Sequence, residues 1–145
     1  MGLFDALDVS GSALSAERVR MDVTAENLAN AQSTRTANGQ GPYRRKEVLL
    51  QEAGAGVGSR ASFADSLQAA RGVKVAGIVE DHSPSRKVYD PGHPDADAKG
   101  YVEMPNVNTV TEVTDLIGAS RAYEANVTAM QSAKQMFSKS LDLLR

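Results

Sequence analysis

One short stretch of the sequence combines histidine and aspartate, two kinds of side chain that can bind a metal ion. Residues 90–97 read Asp-Pro-Gly-His-Pro-Asp-Ala-Asp, and Asp81 and His82 precede them. Carboxylate oxygens and an imidazole nitrogen could bind a divalent cation. The spacing matches no established ligand pattern, and it lacks the glycine and terminal glutamate of an EF-hand loop. Because proline presets turn geometry and aspartate bonds its own backbone, we interpret this stretch as a structural turn.

Other patterns that carry chemistry are missing. The sequence contains no Gly-x-Ser-x-Gly nucleophile motif, and both histidines fall in one Pro-rich region. It also lacks a phosphate-binding loop and a dinucleotide-binding glycine motif. Gly54, Gly56 and Gly58 are spaced by two and are more typical of a linker. We therefore expect no catalytic residue, no cofactor and no bound metal ion.

A single basic cluster, Arg44-Arg45-Lys46, could suggest a site for a polyanion. Glu47 and Glu52 follow it closely, so a solvated strand or a salt-bridged subunit contact explains it better. The net charge is −2 and the pI about 5.7. No basic surface is therefore available for phosphate backbones, and we expect no nucleic-acid partner.

The elements around these residues are dominated by a predicted C-terminal helix. The sequence Thr-Val-Thr-Glu at residues 109–112 is a capping box, which predicts that the helix begins at Thr109. Apolar residues then recur at alternating steps of three and four, the spacing by which helices wrap around one another. With Val113 at heptad position a, the apolar a and d residues are Val113, Leu116, Tyr123, Val127, Met130, Phe137, Leu141 and Leu144. Ser120 and Lys134 occupy the two polar positions, where they could set the register.

We call this line of a and d residues the seam. The e and g positions on either side of it are unusual for a freestanding coiled coil, in which they are normally charged. Here only Glu124 is charged among them, and the g positions are Ala119, Asn126, Ala133 and Ser140. A helix that is small or apolar nearly all round is normally buried all round. We infer contacts with several helices at once, and hence an assembly.

A second helix is predicted near the N-terminus, over residues 3–30. Four apolar residues recur there at steps of seven: Leu7, Leu14, Met21 and Leu28. Val19 and Val23 form a second apolar edge, which indicates a second neighbour. Asn27 and Asn30 are poor interior helix formers and fit its final turn.

The middle of the chain predicts short β-strands between turns. Runs at residues 43–52, 73–80, 86–89 and 100–103 are strand candidates. We expect a flexible loop at 53–59 and either disorder or a short helical turn at 60–70. The predicted fold is mainly α with a small β-rich insert, in which two long terminal helices form an antiparallel coiled-coil pair. The predicted domains are an N-terminal helix at 1–34, the insert at 35–105 and a C-terminal helix at 106–145.

Composition limits the class of protein further. Aromatic residues make up 5% of the chain, without tryptophan, which is a small supply for the core of a solitary globule. Cysteine is absent, so disulfides and thiolate chemistry are excluded. The sequence shows neither a cleavable secretory signal at its start nor a run of about 20 apolar residues that would span a membrane.

The two predicted helices carry the sequence's clearest resemblance to a known family. Residues 25–34, AENLANAQST, resemble the A-x-N-L-A-N-x-x-T signature of bacterial flagellar rod and hook proteins. Residues 116–126, LIGASRAYEAN, are similar to their second signature with its R-A-Y-E-A-N core. The signature residues are Asn27, Leu28, Asn30, Arg121, Tyr123, Glu124 and Asn126. Residues 41–46, 89–96 and 100–108 resemble one rod protein of this family in particular.

This resemblance implies a structural subunit of the flagellar basal-body rod. Such a subunit would be exported through the flagellar type III apparatus without signal cleavage and would assemble in the periplasm. Its terminal helices would pack with copies of itself and with other rod proteins into a helical tube that transmits torque. Two alternatives remain: a coiled-coil adaptor or needle-like secretion subunit, and a metal-dependent enzyme that uses His82, Asp90, His93 and Asp95.

Overall fold

The fold is taken from a computed structural model, which describes residues 3–36, 41–53 and 72–143. In chain order it contains α1 (Leu3–Ala29), β1 (Lys46–Glu52), β2 (Val73–Glu80), β3 (Arg86–Tyr89), β4 (Tyr101–Met104) and α2 (Thr109–Leu143). Long helices at both ends with short strands between them confirm the predicted mixture of elements. Leu144 and most of the predicted loop and turn at 53–70 lie outside the described residues.

The first helix ends where its asparagines predict. The backbone N–H of Asn30 donates to the Glu26 carbonyl, 3.1 Å away, and the Asn30 side-chain amide donates to the same carbonyl at 2.9 Å. The next bond, from Ala31 N to Leu28 O, spans only three residues, which tightens and ends the last turn. The C-terminal end of α1 is thus fixed by side-chain and backbone hydrogen bonds within its final turn.

The start of α2 differs from the predicted capping box. Asn108, one residue earlier than expected, caps the helix: its Oδ1 accepts a hydrogen bond from Val110 N at 3.1 Å. The Glu112 N–H donates to the Asn108 carbonyl at 3.0 Å, the first regular bond of the helix. Because Asn108 does the capping, the Glu112 carboxylate is left to point into the protein.

The strands β1 and β2 are hydrogen-bonded neighbours in a two-stranded sheet. Asp81 N donates to Arg45 O at 2.7 Å beside one end, and Ala53 N donates to Gly72 O at 2.8 Å beside the other. The strands therefore run antiparallel. β1 begins three residues later than predicted because Tyr43 N donates to Ser33 O and Arg45 N donates to the Asn106 side chain instead.

A second antiparallel sheet joins β3 to β4, with Arg86 opposite Met104 and Tyr89 opposite Tyr101. The two tyrosine rings meet edge to face, with centroids 5.3 Å apart. Gly100, just before β4, has φ of +78°, and a Cβ there would lie 2.9 Å from the Tyr89 ring. Only glycine therefore fits this close turn.

The chain divides into two compact units, each continuous in space but not in sequence. One unit contains residues 20–48 and 78–118, with a small buried cluster of Ala31, Tyr43 and Val107. The other contains the described residues of 1–19, 49–77 and 119–145. Its buried side chains include Ala16, Ala119 and Ala133, and Ser12 Oγ accepts a hydrogen bond from Val73 N at 3.0 Å. The buried apolar side chains are mostly small, as the low aromatic content predicts.

We expect Val102→Ala to lower the free energy of unfolding by about 2 kcal/mol, because it removes two methyl groups from a side chain that is 1% exposed. Urea unfolding followed by circular dichroism would measure the change. Val110→Ala is the matched control, since that side chain is 74% exposed, and it should change stability by less than about 0.5 kcal/mol. Equal effects of the two substitutions would contradict the position of the core.

Candidate functional site: a buried polar network and the exposed helix faces

Asn27, in the last turn of α1, is the centre of a polar network and is 1% exposed. Its Oδ1 accepts hydrogen bonds from Lys46 N and from the Tyr43 hydroxyl, both at 2.9 Å. Its Nδ2 donates to Lys46 O at 2.8 Å and to Glu112 Oε2 at 3.0 Å. A side-chain amide can make four such bonds, and all four are made here. No other polar side chain could replace this asparagine without losing a bond.

Glu112, in the first turn of α2, supplies the charge of the network. It is 1% exposed, and its Oε1 accepts a hydrogen bond from Arg45 Nε at 2.5 Å. A buried carboxylate is tolerated only when it is paired and hydrogen-bonded, and Arg45 and Asn27 meet both needs. Burial by itself lowers the pKa of Arg45, but the hydrogen bond and charge of Glu112 outweigh it and raise that pKa above its ordinary value.

The basic cluster 44–46 forms contacts within the chain. Beyond Glu112, Arg45 makes ion pairs with Glu47 and with Asp115, the latter at 3.6 Å. Lys46 Nζ lies 2.6 Å from a Glu26 carboxylate oxygen. Arg45 and Lys46 thus pair within the chain, while Arg44 is exposed and contacts His82. A salt-bridged subunit contact of this cluster stays a prediction.

Tyr43 joins this network through its hydroxyl and is itself buried. Burial raises its pKa to about 12, and the negative charges of Glu26, Glu112 and Glu80 add to the effect. The neutral phenol is the form that can donate a hydrogen bond to Asn27. The network therefore depends on Tyr43 remaining protonated.

The residues with metal-binding potential are used in turns and local pairs. Asp90 Oδ1 accepts a hydrogen bond from Gly92 N, and His93 Nδ1 accepts one from Asp95 N at 3.1 Å. His82 lies apart and contacts Arg44 through Nδ1 at 2.7 Å. Within residues 3–36, 41–53 and 72–143, no three His, Asp or Glu side chains form a group that could hold a metal ion. These contacts support the interpretation of this stretch as a turn.

Asp95 connects this turn to the segment that follows α1. Its Oδ2 accepts a hydrogen bond from Thr34 Oγ1 at 2.7 Å, and its Oδ1 forms an ion pair with Arg35. The bond from Thr34, aided by the charge of Arg35, lowers the pKa of Asp95 below its ordinary value. The last residue of the N-terminal signature, Thr34, is thereby tied to the insert.

The predicted seam residues differ in how far the chain itself covers them. In α1, all four are partly buried: Leu7, Leu14, Met21 and Leu28. In α2, Leu116, Tyr123, Val127 and Met130 are partly buried. Val113, Phe137 and Leu141 are exposed, at 41%, 40% and 51%. The role of these residues in subunit contacts stays a prediction.

The buried side chains of α2 are Glu112, Ala119 and Ala133, one position before the predicted a residues. These three residues are separated by multiples of seven, so the most buried line of α2 runs beside the predicted seam and follows the same repeat. Among the described residues, α2 approaches α1 at two points named here. One is the Asn27–Glu112 bond, and the other is Gly11, where a Cβ would lie 3.9 Å from Met130 Cε.

The signature residues divide into two groups. Asn27 is the buried network centre, and Asn30 and Asn126 each bond a carbonyl four residues earlier in their own helix. Arg121 and Glu124 are exposed. In the part of the chain that the structure describes, neither of these two charges has an ion-pair partner.

Sequence reasoning missed Tyr43, Arg45 and Glu112 as members of one network. These residues come from three separate places in the chain, and each had a reasonable local interpretation. The available signal was Glu112 itself, which falls on the same helix face as Leu116 and Ala119 although it is charged.

No described helix is long and apolar enough to cross a membrane.

Comparison with known proteins identifies the class. The family model "Flagella basal body rod protein" matches residues 7–35, and the model "Flagellar basal body rod FlgEFG protein C-terminal" matches residues 98–143. These ranges cover α1 from residue 7 onwards and the whole of α2.

Full-length relatives narrow this class to one kind of rod protein. The flagellar basal-body rod protein FlgC of Bacillus subtilis is 49% identical over 148 residues, covering 99% of both chains. FlgC of Borreliella burgdorferi is 45% identical over 152 residues, and FlgC of Salmonella typhimurium is 44% identical over 144 residues, each covering at least 98% of both chains. The chain therefore belongs to the FlgC family of flagellar basal-body rod proteins, which confirms the resemblance in its sequence.

We expect Glu112→Ala to lower the free energy of unfolding by about 3 kcal/mol, because it leaves the Asn27 amide and the Arg45 guanidinium with an unmet bond. Chemical denaturation measures this. Glu103→Ala is the control: Glu103 and its partner Lys87 are both mostly exposed, and their ion pair contributes less than about 1 kcal/mol. A loss below about 1 kcal/mol for Glu112→Ala would refute the network as a source of stability.

Alkaline pH should weaken the fold through Tyr43. The folded pKa of Tyr43, about 12, lies above its ordinary value of 10.0, so the stabilisation is complete below pH 10.0 and is lost as the pH rises towards 12. Urea unfolding at a series of pH values should show this fall in the wild type and a smaller one in Tyr43→Phe, which cannot ionise. Identical alkaline profiles would rule out this role for Tyr43.

Proposed function

We propose that this protein is a structural subunit of the flagellar basal-body rod, assembled with other rod proteins and with copies of itself. The observation that carries the proposal is the identity of 44–49% with FlgC proteins over nearly the whole chain. The family-model matches support it, because they fall on the two helices available for assembly. The names of these relatives favour the rod over the adaptor or needle-like alternative.

The terminal helices would act as an antiparallel coiled-coil pair. Two contacts support this arrangement: Asn27 with Glu112, and Gly11 beside Met130. The partner residue in α2 rises in number as the residue in α1 falls, as antiparallel helices require. The small side chains of Ala16, Ala119 and Ala133 are buried, which allows close packing of helices.

The exposed part of the seam would be covered by neighbouring subunits. Val113, Phe137 and Leu141 are large apolar side chains that remain 40–51% exposed. Burying such surface is favourable at about 25 cal/mol per Å², so neighbours that cover it stabilise an assembly. Repeated contacts of this kind would build a helical tube, and several neighbours for each subunit would let the tube transmit torque.

The proposed rod role also assigns a part to each segment of the chain and a route by which the protein reaches the rod. Residues 1–34 and 106–145 would form the helical core, and 35–105 the β-rich insert. The protein would reach the rod, across the periplasm, through the flagellar type III export apparatus without a cleaved signal. A purely structural role requires no catalysis, cofactor, metal ion, nucleic acid or membrane insertion.

Mass spectrometry of detergent-resistant hook–basal bodies purified from the source cell tests the proposal. We expect this chain to remain with the intact bodies through purification. Its absence from intact bodies that contain the other rod proteins would reject the rod assignment.

Val127→Asp should block completion of the rod, because assembly would bury an unpaired carboxylate in the seam. Leu116→Asp should act in the same way. Motility in soft agar and the number of complete basal bodies measure the effect. Thr128→Asp is the control, since Thr128 is exposed on the adjacent face, and it should permit assembly. Normal motility with Val127→Asp and Leu116→Asp would count against the seam.

A further inference from the structure

One face of α2 carries an exposed apolar residue followed by two unpaired charges. Ile117, Arg121 and Glu124 fall within about 60° of one another, since successive residues turn by about 100°. Ile117 is 49% exposed, and both charged side chains are exposed. The buried residues Glu112 and Ala119 lie on the opposite side of the helix. This face is therefore not the one that α2 buries within its own chain.

A matching face exists on α1. Arg18, Asp22 and Ala25 also fall within about 60° of one another, and all three are exposed. The buried residues Ala16 and Asn27 lie on the other side of the helix. Neither Arg18 nor Asp22 has an ion-pair partner among the residues that the structure describes.

We propose that these two faces bind each other between copies of this protein, with α2 of one copy antiparallel to α1 of the next. Arg121 would then pair with Asp22 of the second copy, and Glu124 would pair with Arg18. The proposal rests on the proposed function, because it requires a second copy in the same assembly.

The order of charges selects the direction. From Ile117 the charges along α2 are positive and then negative, and from Ala25 backwards along α1 they are negative and then positive. An antiparallel arrangement brings opposite charges together at both positions. A parallel arrangement that keeps Arg121 beside Asp22 would place Glu124 beside Ala25 and Arg18 beside Ile117, so only one of the two ion pairs would form.

The apolar contact fits the same register. Ile117 lies about one helical turn before Arg121 in α2, and Ala25 lies about one turn after Asp22 in α1. When Arg121 faces Asp22 across the antiparallel contact, Ile117 therefore lies opposite Ala25. A small alanine allows the two helices to approach closely, and the branched isoleucine can fill the space beside it. Charge and shape therefore agree on one alignment.

When two copies bind in this way, one copy keeps a free α1 face and the other keeps a free α2 face. The α2 face and the α1 face are different surfaces of the same chain, so the contact is heterologous and does not close a dimer. Each added copy presents a new face for the next one. Such an interaction extends an array rather than ending it, as a rod subunit requires.

Charge reversal within one chain tests the pairing. Arg121→Glu should reduce incorporation of the chain into purified basal bodies at least about tenfold, because like charges then face each other across the contact. Arg121→Glu combined with Asp22→Arg should restore incorporation to within about twofold of the wild type. Lys139→Glu, an exposed charge of the same helix outside the contact, is the matched control and should assemble normally. Circular dichroism would check that each variant still folds.

A cross-link tests the apolar register independently. The chain contains no cysteine, so Ile117→Cys together with Ala25→Cys introduces a defined pair. Mild oxidation of basal bodies should yield disulfide-linked multimers of this chain, while Lys139→Cys with Ala25→Cys should yield none.

The results of these experiments distinguish failure of the proposed self-contact from failure of the rod assignment. If the wild-type chain is found in basal bodies but Arg121→Glu assembles normally, the contact is wrong and the rod assignment stands. If Arg121→Glu fails and Asp22→Arg does not restore it, while no Ile117–Ala25 cross-link forms, Arg121 meets a different protein and the self-contact is overturned. Absence of the wild-type chain from intact bodies would reject both.

Discussion

The structure depends most on one buried interaction between the end of α1 and the start of α2. Asn27 in the last turn of α1 donates a hydrogen bond to Glu112 in the first turn of α2, 85 residues later. A carboxylate that is 1% exposed would be strongly unfavourable without compensation. Arg45, just before β1, supplies the opposite charge. The buried charge thus requires the end of α1, the segment before β1 and the start of α2 to be in position together within one compact unit.

The same requirement explains why this part of the protein is specific as well as stable. Apolar side chains of similar size can exchange partners at modest cost, but the four hydrogen bonds of Asn27 define one arrangement. Tyr43 and the backbone of Lys46 fix the approach of β1 to α1 in the same way. The helices beyond this network are held by contacts of small apolar side chains. Their exposed seam residues remain available for neighbouring subunits.

The turn at residues 90–97 shows how side chains of metal-binding types can serve the structure of a turn. It contains histidine and several aspartates, yet each side chain is engaged in local geometry. Asp90 and Asp97 accept hydrogen bonds from backbone N–H groups of their own turns. Asp95 accepts a hydrogen bond from Thr34 and forms an ion pair with Arg35. Hydrogen bonding to the charged form lowers the pKa of Asp95 and Asp97. These carboxylates act as turn formers and anchors.

The sequence by itself determined the elements of this protein and its family. The 3-4 spacing predicted α2 to within one residue at its end, and β2 and β3 have the predicted bounds, because helix and strand periodicity are local properties of the chain. The two signatures identified the rod family for the same reason. Tertiary structure decided what Glu112 does, where β1 begins and which face of each helix is buried. Those outcomes depend on groups far away in the chain. Asn27 and Arg45 bind Glu112, and Ser33 and Asn106 bind the backbone before β1. The buried face of each helix is the one that its neighbours in space cover.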